Sequence, residues 1–173
     1  MPCQPGSHGN GTLGGKNVDV CVHCAAGKYN IKSNSKENSD CLDCDQGRYN
    51  ANTGSSERSD CLNCGIGKYS PAQGASSDTC KTCDAGFYSQ ITGATSNDDC
   101  IGCEAGKYQR ERGSPVCLQC LAGFFNPSKQ QTKCTPCVPG MYRPGDVTDA
   151  KQCIDCPSGF AQPTKNQASC IQC

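Results

Sequence analysis

Apolar residues follow no sustained 3.6-residue period in any window of this chain, so little or no helix is expected. They recur instead at fixed distances from cysteine pairs. All ten aromatic residues, Tyr29, Tyr49, Tyr69, Phe87, Tyr88, Tyr108, Phe124, Phe125, Tyr142 and Phe160, lie four or five residues after the second cysteine of a C-x2-C. One aliphatic residue stands inside most of those pairs (Val22, Leu42, Leu62, Ile101, Leu118, Ile154 and Ile171), with Lys81 and Thr135 departing from the pattern. Ten residues after the second cysteine come Asn34, Gly54, Gly74, Gly93, Gly113 and Asn166, types that tolerate the left-handed region. Gln130 is the exception there. Stretches 71–74 and 143–146 read as turns. Each unit is thus predicted to be two short extended pieces joined by a bend and closed at its base by cysteines.

The unit repeats along the whole chain. The motif C-x2-C-x2-G-x-[YF] begins at Cys21, Cys41, Cys61, Cys80, Cys100, Cys117 and Cys134, recurs in altered form at Cys153, and a further C-x2-C opens at Cys170. A glycine stands three residues after the second cysteine in all nine loops, from Gly6 to Gly159, which predicts positive φ or a close backbone approach. The repeats read as 1–21, 22–41, 42–61, 62–80, 81–100, 101–117, 118–134, 135–153 and 154–173, the last including the start of a further unit.

Composition explains why such units need cross-links. Only 35% of the residues are hydrophobic, 19 cysteines are counted among them, and there is no tryptophan. Large aliphatic side chains are too sparse for one shared core to offset the conformational entropy of folding. Sixteen basic and sixteen acidic residues, scattered without runs, give a net charge of zero. That gives no electrostatic reason to expect nucleic acid or an anionic membrane as partner. No apolar run reaches transmembrane length, and the first residues lack the apolar segment of a signal peptide, so a secreted form would be mature or part of something longer.

Paired cysteines bind zinc, run redox chemistry or staple a secreted chain. Cys21, Cys24, Cys41 and Cys44 have four-cysteine zinc spacing. Zinc sites would use pairs two at a time, however, so loops within sites should alternate with linkers between them. The repeat shows no alternation. A redox C-x2-C needs a helix N-terminus in a βαβ scaffold, which a helix-poor chain does not offer. Spacing alone does not fix disulfide connectivity. The reading that makes every loop equivalent pairs Cys3–Cys21, Cys24–Cys41, Cys44–Cys61, Cys64–Cys80, Cys83–Cys100, Cys103–Cys117, Cys120–Cys134, Cys137–Cys153 and Cys156–Cys170. Bonding within each C-x2-C would instead make small strained rings and leave the long loops untied. On the ladder reading, each aromatic covers a neighbouring disulfide and the glycine backbone, and the aliphatic residue inside the C-x2-C fills the junction with the next unit. Contacts then run only between neighbours, and an elongated rod of tandem short β-hairpin modules is expected.

The C-x2-G-x-[YF] opening, a loop of about fifteen residues and a closing C-x2-C resemble the first-type module of tumour necrosis factor receptor cysteine-rich domains. The tandem form, as in CDAGFYSQITGATSNDDCIGCEAGKYQ (residues 83–109), is similar to the ephrin-receptor-like cysteine-rich repeat. The resemblance implies extracellular modules, each opening cysteine bonded to the next closing one.

Function is read from what remains. Asn10 begins the one N-glycosylation sequon. Asp40, Asp60, Asp78, Asp98 and Asp99 precede closing cysteines; turn capping explains them better than calcium, which needs six to eight oxygens. His8 and His23 are expected on the surface. Cys173 is left unpaired, which predicts a longer array or a bond between chains. No nucleophile stands with a base, so neither an enzyme nor a cofactor is expected. The favoured reading is an extracellular structural scaffold, a spacer, surface coat or filament component that partners other extracellular proteins or itself. The alternatives are a receptor-type ectodomain, with Arg110, Glu111, Arg112, Phe124 and Phe125 as its binding face, and a zinc protein.

Overall fold

The computed structural model describes residues 2–9, 20–145 and 150–173. Among the described residues nine two-stranded sheets follow one another, and helix is confined to three single 3-10 turns, Asn38–Asp40, Arg58–Asp60 and Asn97–Asp99. Each aromatic-bearing strand pairs with the strand inside the next C-x2-C. Tyr29 stands opposite Leu42, Tyr49 opposite Leu62, Tyr88 opposite Ile101 and Tyr108 opposite Leu118. The strands are two or three residues long, too short to hold on their own in water.

Nine disulfides hold them: Cys3–Cys21, Cys24–Cys41, Cys44–Cys61, Cys64–Cys80, Cys83–Cys100, Cys103–Cys117, Cys120–Cys134, Cys137–Cys153 and Cys156–Cys170. These bonds define modules 1 to 9. A disulfide closing a loop of about 15 residues is worth ~3 kcal/mol in the chain-entropy account. Cys173 is a free, exposed thiol.

The chain forms two compact units, residues 1–81 with 91–99 and residues 82–90 with 100–173. Within the first, a backbone ladder joins successive modules. The Gly6 N–H donates to the Asn30 carbonyl at 2.8 Å, Gly27 to Asn50 at 2.7 Å and Gly47 to Ser70 at 2.8 Å. The Cys24 N–H returns a bond to the Gly6 carbonyl, and Cys44 and Cys64 return bonds to Gly27 and Gly47. The second unit repeats the scheme from Gly86 to Gln109, Gly106 to Asn126, Gly123 to Arg143 and Gly140 to Gln162.

Contacts also reach the next module but one, which corrects the neighbour-only expectation. A Cβ on Gly6, in module 1, would lie 2.1 Å from the carbonyl oxygen of Gly54, in module 3. Gly27 meets Gly74, and Gly47 meets Gly93, at the same 2.1 Å. In the second unit Gly86 meets Gln130 and Gly123 meets Asn166, at 2.4 and 2.2 Å. These glycines have positive φ as well, so backbone shape and backbone approach exclude a side chain independently.

The interior is built of disulfides and polar side chains. The residue six after each second cysteine is buried: Asn30, Asn50, Ser70, Ser89, Gln109, Asn126, Arg143 and Gln162. Asn30 Nδ2 donates to Ser35 Oγ at 2.7 Å and to the Ser7 carbonyl, while its Oδ1 accepts from the Lys32 N–H. Asn50 repeats the clasp with Ser55 and Asn52. Gln109 does so with Ser114 and Glu111. Amides saturated in this way remove the desolvation penalty that unpaired ones would carry. The aliphatic residues inside the C-x2-C pairs do not fill junctions. Val22, Leu42, Leu62, Ile101, Leu118, Ile154 and Ile171 are exposed, because strand pairing turns them outward, five of them with a tyrosine opposite.

Candidate interaction surface

Two adjoining clefts in the second unit occupy the same place in successive modules. One, of about 220 Å³, is lined by Tyr88, Gln90, Glu104, Lys107, Val116 and Cys117. The other, of about 200 Å³, is lined by Tyr108, Arg110, Leu121, Phe124, Lys133 and Cys134. Position for position these are the aromatic residue of one module, the residue two after it, two residues opening the next module, and the two closing it. Both clefts lie beside the closing cysteine of a short loop, Cys103–Cys117 or Cys120–Cys134, each with a sequence separation of 14. Loops with a separation of 17 carry a 3-10 turn immediately before the closing cysteine, and these two loops lack it.

The corresponding place between modules 2 and 3 shows what the turn does. Arg58, in the turn Arg58–Asp60, donates from Nε and Nη2 to Asp45 Oδ2. Its guanidinium pKa is raised, first by that hydrogen bond and then by the charges of Asp45 and Tyr29. An internal ion pair therefore stands where modules 6 and 7 leave a cleft, and Leu121 takes the position of Asp45. In the neighbouring cleft Glu104 is paired with Lys129 at 3.0 Å. The Tyr108 cleft has no such balance. Arg110 lies over the Tyr108 ring, 5.9 Å from its centroid, within cation–π range. Among the described residues no carboxylate stands within ion-pair distance of Arg110 or Lys133.

Arg110 and Phe124, two of the residues singled out from sequence, thus come together. Arg112 does not join them; it pairs with Asp84 at 3.2 Å. Phe125 stands opposite Thr135 in its strand pair. Leu121 and Lys133 carried no motif that would have marked them; the only signal was their register against the shortened loop. Asn10 lies outside the described residues.

Other candidates take structural places. His8 is buried, with Nδ1 2.9 Å from the Gly9 carbonyl oxygen, which corrects its expected surface position. His23 packs against Gly54, where an added Cβ would meet Nδ1 at 2.8 Å. Asp60 Oδ2 accepts from the Ser56 and Glu57 N–H groups, and Asp99 Oδ2 from those of Thr95 and Ser96. These carboxylates close turns. Arg143 is a buried cation, 1% exposed, whose guanidinium donates to the carbonyls of Cys120, Leu121, Phe124 and Pro144. Burial lowers its pKa from the ordinary arginine value.

Fold and site together define a tandem array of small disulfide-bonded hairpin modules, a cysteine-rich repeat protein. Nine disulfides with one free thiol are the chemistry of an oxidising compartment. No family model matches the chain, and no curated protein matches it either.

Proposed function

We propose that the chain is an extracellular structural protein, a module array of the ephrin-receptor-like or tumour necrosis factor receptor-like kind, serving as a spacer, surface coat or filament component. One observation carries the reading. Within each compact unit the same backbone hydrogen bonds and the same disulfide recur from module to module, so each module is specialised for joining the next. Disulfides stabilise such an array outside the cell, where no reducing pool competes for them. Eighteen of the nineteen cysteines are consumed as disulfides, which leaves no thiolate set for zinc or for redox catalysis. No enzymatic activity is proposed, and no cofactor. The partners are extracellular proteins, further copies of the chain among them.

The test is location and extraction. Antibody raised against the chain should label intact, unpermeabilised cells, and the antigen should resist detergent yet be released by detergent with reductant. Antigen confined to the cell interior, or fully soluble in detergent alone, would remove the scaffold reading.

A further inference from the structure

The Tyr108 cleft has the chemistry of a recognition site, and we propose that it binds an acidic side chain of a partner peptide, a carboxylate flanked by apolar or aromatic residues. Two cations, Arg110 and Lys133, face a cleft walled by Tyr108, Leu121 and Phe124. A carboxylate entering it meets charge-assisted donors on one side and apolar walls on the other. At about 200 Å³ the cleft holds one side chain, not a cofactor.

Register identifies the missing charge. Between modules 2 and 3 the chain supplies its own carboxylate, Asp45, to a cation near the aromatic ring. Between modules 6 and 7 the carboxylate position is Leu121, 74% exposed, and the cations of this cleft, Arg110 and Lys133, stand where modules 2 and 3 carry Ile31 and Asp60. The surroundings reinforce the sign: residues 103–137 contain five lysines and arginines against two glutamates, in a chain of zero net charge. Glu104, one of those two, is already paired with Lys129. An acidic ligand therefore supplies to Arg110 and Lys133 the kind of carboxylate that Asp45 supplies to Arg58 between modules 2 and 3. An anionic glycan would meet the same cations, but the apolar walls Leu121 and Phe124 favour a peptide.

The experiment uses the full oxidised chain and an acetylated, amidated pentapeptide of alternating glutamate and phenylalanine, followed by titration calorimetry. Saturable binding is expected, weakened about tenfold by Arg110→Gln and again by Lys133→Gln, as loss of one charged hydrogen bond implies. Leu121→Asp places a carboxylate back in the cleft and is expected to abolish binding; its position is exposed, so folding is not at stake. Lys165→Gln, in module 9, is expected to leave affinity unchanged. Intact mass before and after reduction checks that each variant retains nine disulfides. Any of four results would overturn the proposal: equal binding of the peptide with glutamine for glutamate; affinity indifferent to Arg110→Gln; no saturation at millimolar peptide; or tighter binding of a heparin tetrasaccharide that survives Phe124→Ser, which would make the surface a glycan site.

Discussion

At the scale of single residues, the bend ten positions after each second cysteine shows how little freedom the module allows. Gln130 looked like an exception in the sequence, yet it adopts φ +61°, in line with Asn34 at +61° and Gly54 at +72°. A neighbouring substitution accompanies it. Where the bend is Gly54, Gly74 or Gly93, the side chain of His23, Asp43 or Asn63 lies over it; where the bend is Gln130, the facing residue is Gly102. A Cβ on Gly102 would lie 2.6 Å from Gln130 Cγ. Gly102→Asn and Gln130→Gly are therefore expected to couple. The double variant should recover ~1 kcal/mol or more over the sum of the singles in a denaturant double-mutant cycle. Additive effects would refute the pairing.

The module glycines allow a second comparison inside one unit. Gly123 and Gly159 have nearly the same φ, +77° and +85°, but only Gly123 is approached by other backbone, that of Asn166. Gly159→Ala should cost the left-handed backbone term of about 1–2 kcal/mol. Gly123→Ala must also displace backbone and should cost clearly more. Hydrogen exchange of the module amides measures both, and equal losses would show that φ alone sets the preference. At Arg143 the expected loss is larger still. Arg143→Met strands carbonyls that now accept from its guanidinium, at about 1–3 kcal/mol for each buried unsatisfied group.

At the scale of the element, each hairpin is a loop whose order comes from its staple. Replacing Cys103 and Cys117 together by serine should cost about 3 kcal/mol. Because stability in a repeat array is local, and module 6 also meets module 8 where Gly106 approaches Ala150, the loss should appear as faster exchange in modules 5 to 8, with module 9 little changed. Uniform loss across the unit would indicate a single cooperative core instead. Much of this level was legible beforehand. The aromatic slot, the glycine at the third position and the bend were read from spacing, and each corresponds to a strand or a positive-φ turn. The aliphatic residues inside the C-x2-C were misplaced because apolar character suggested burial, while strand alternation in a two-residue strand turns them out. The polar position six after the second cysteine was overlooked. Asn30, Asn50, Gln109 and Gln162 belong to no motif, and only their recurrence beside the aromatic slot points to an internal amide clasp. A close backbone approach at the module glycines was expected as an alternative to positive φ, but its partner two modules on was out of reach, since regular spacing does not say which module supplies it.

At the scale of the whole chain, the disulfides take the place that a hydrophobic interior holds in other proteins of this length. Buried amides and backbone ladders then complete each compact unit without large aliphatic side chains. The candidate cleft belongs to this level too. Arg110 and Phe124 were visible as departures from the repeat, whereas Lys133 and Leu121 acquire meaning only when module 7 is set in register with module 3. The central claim is that bonds between successive C-x2-C sites, not within them and not to metal, hold the chain together. Peptide mapping of the unreduced protein by mass spectrometry tests it most directly. It should recover nine linked peptide pairs from Cys3–Cys21 to Cys156–Cys170, with Cys173 as a free thiol. Recovery of bonds within the C-x2-C pairs, or of free thiols with bound zinc, would contradict it.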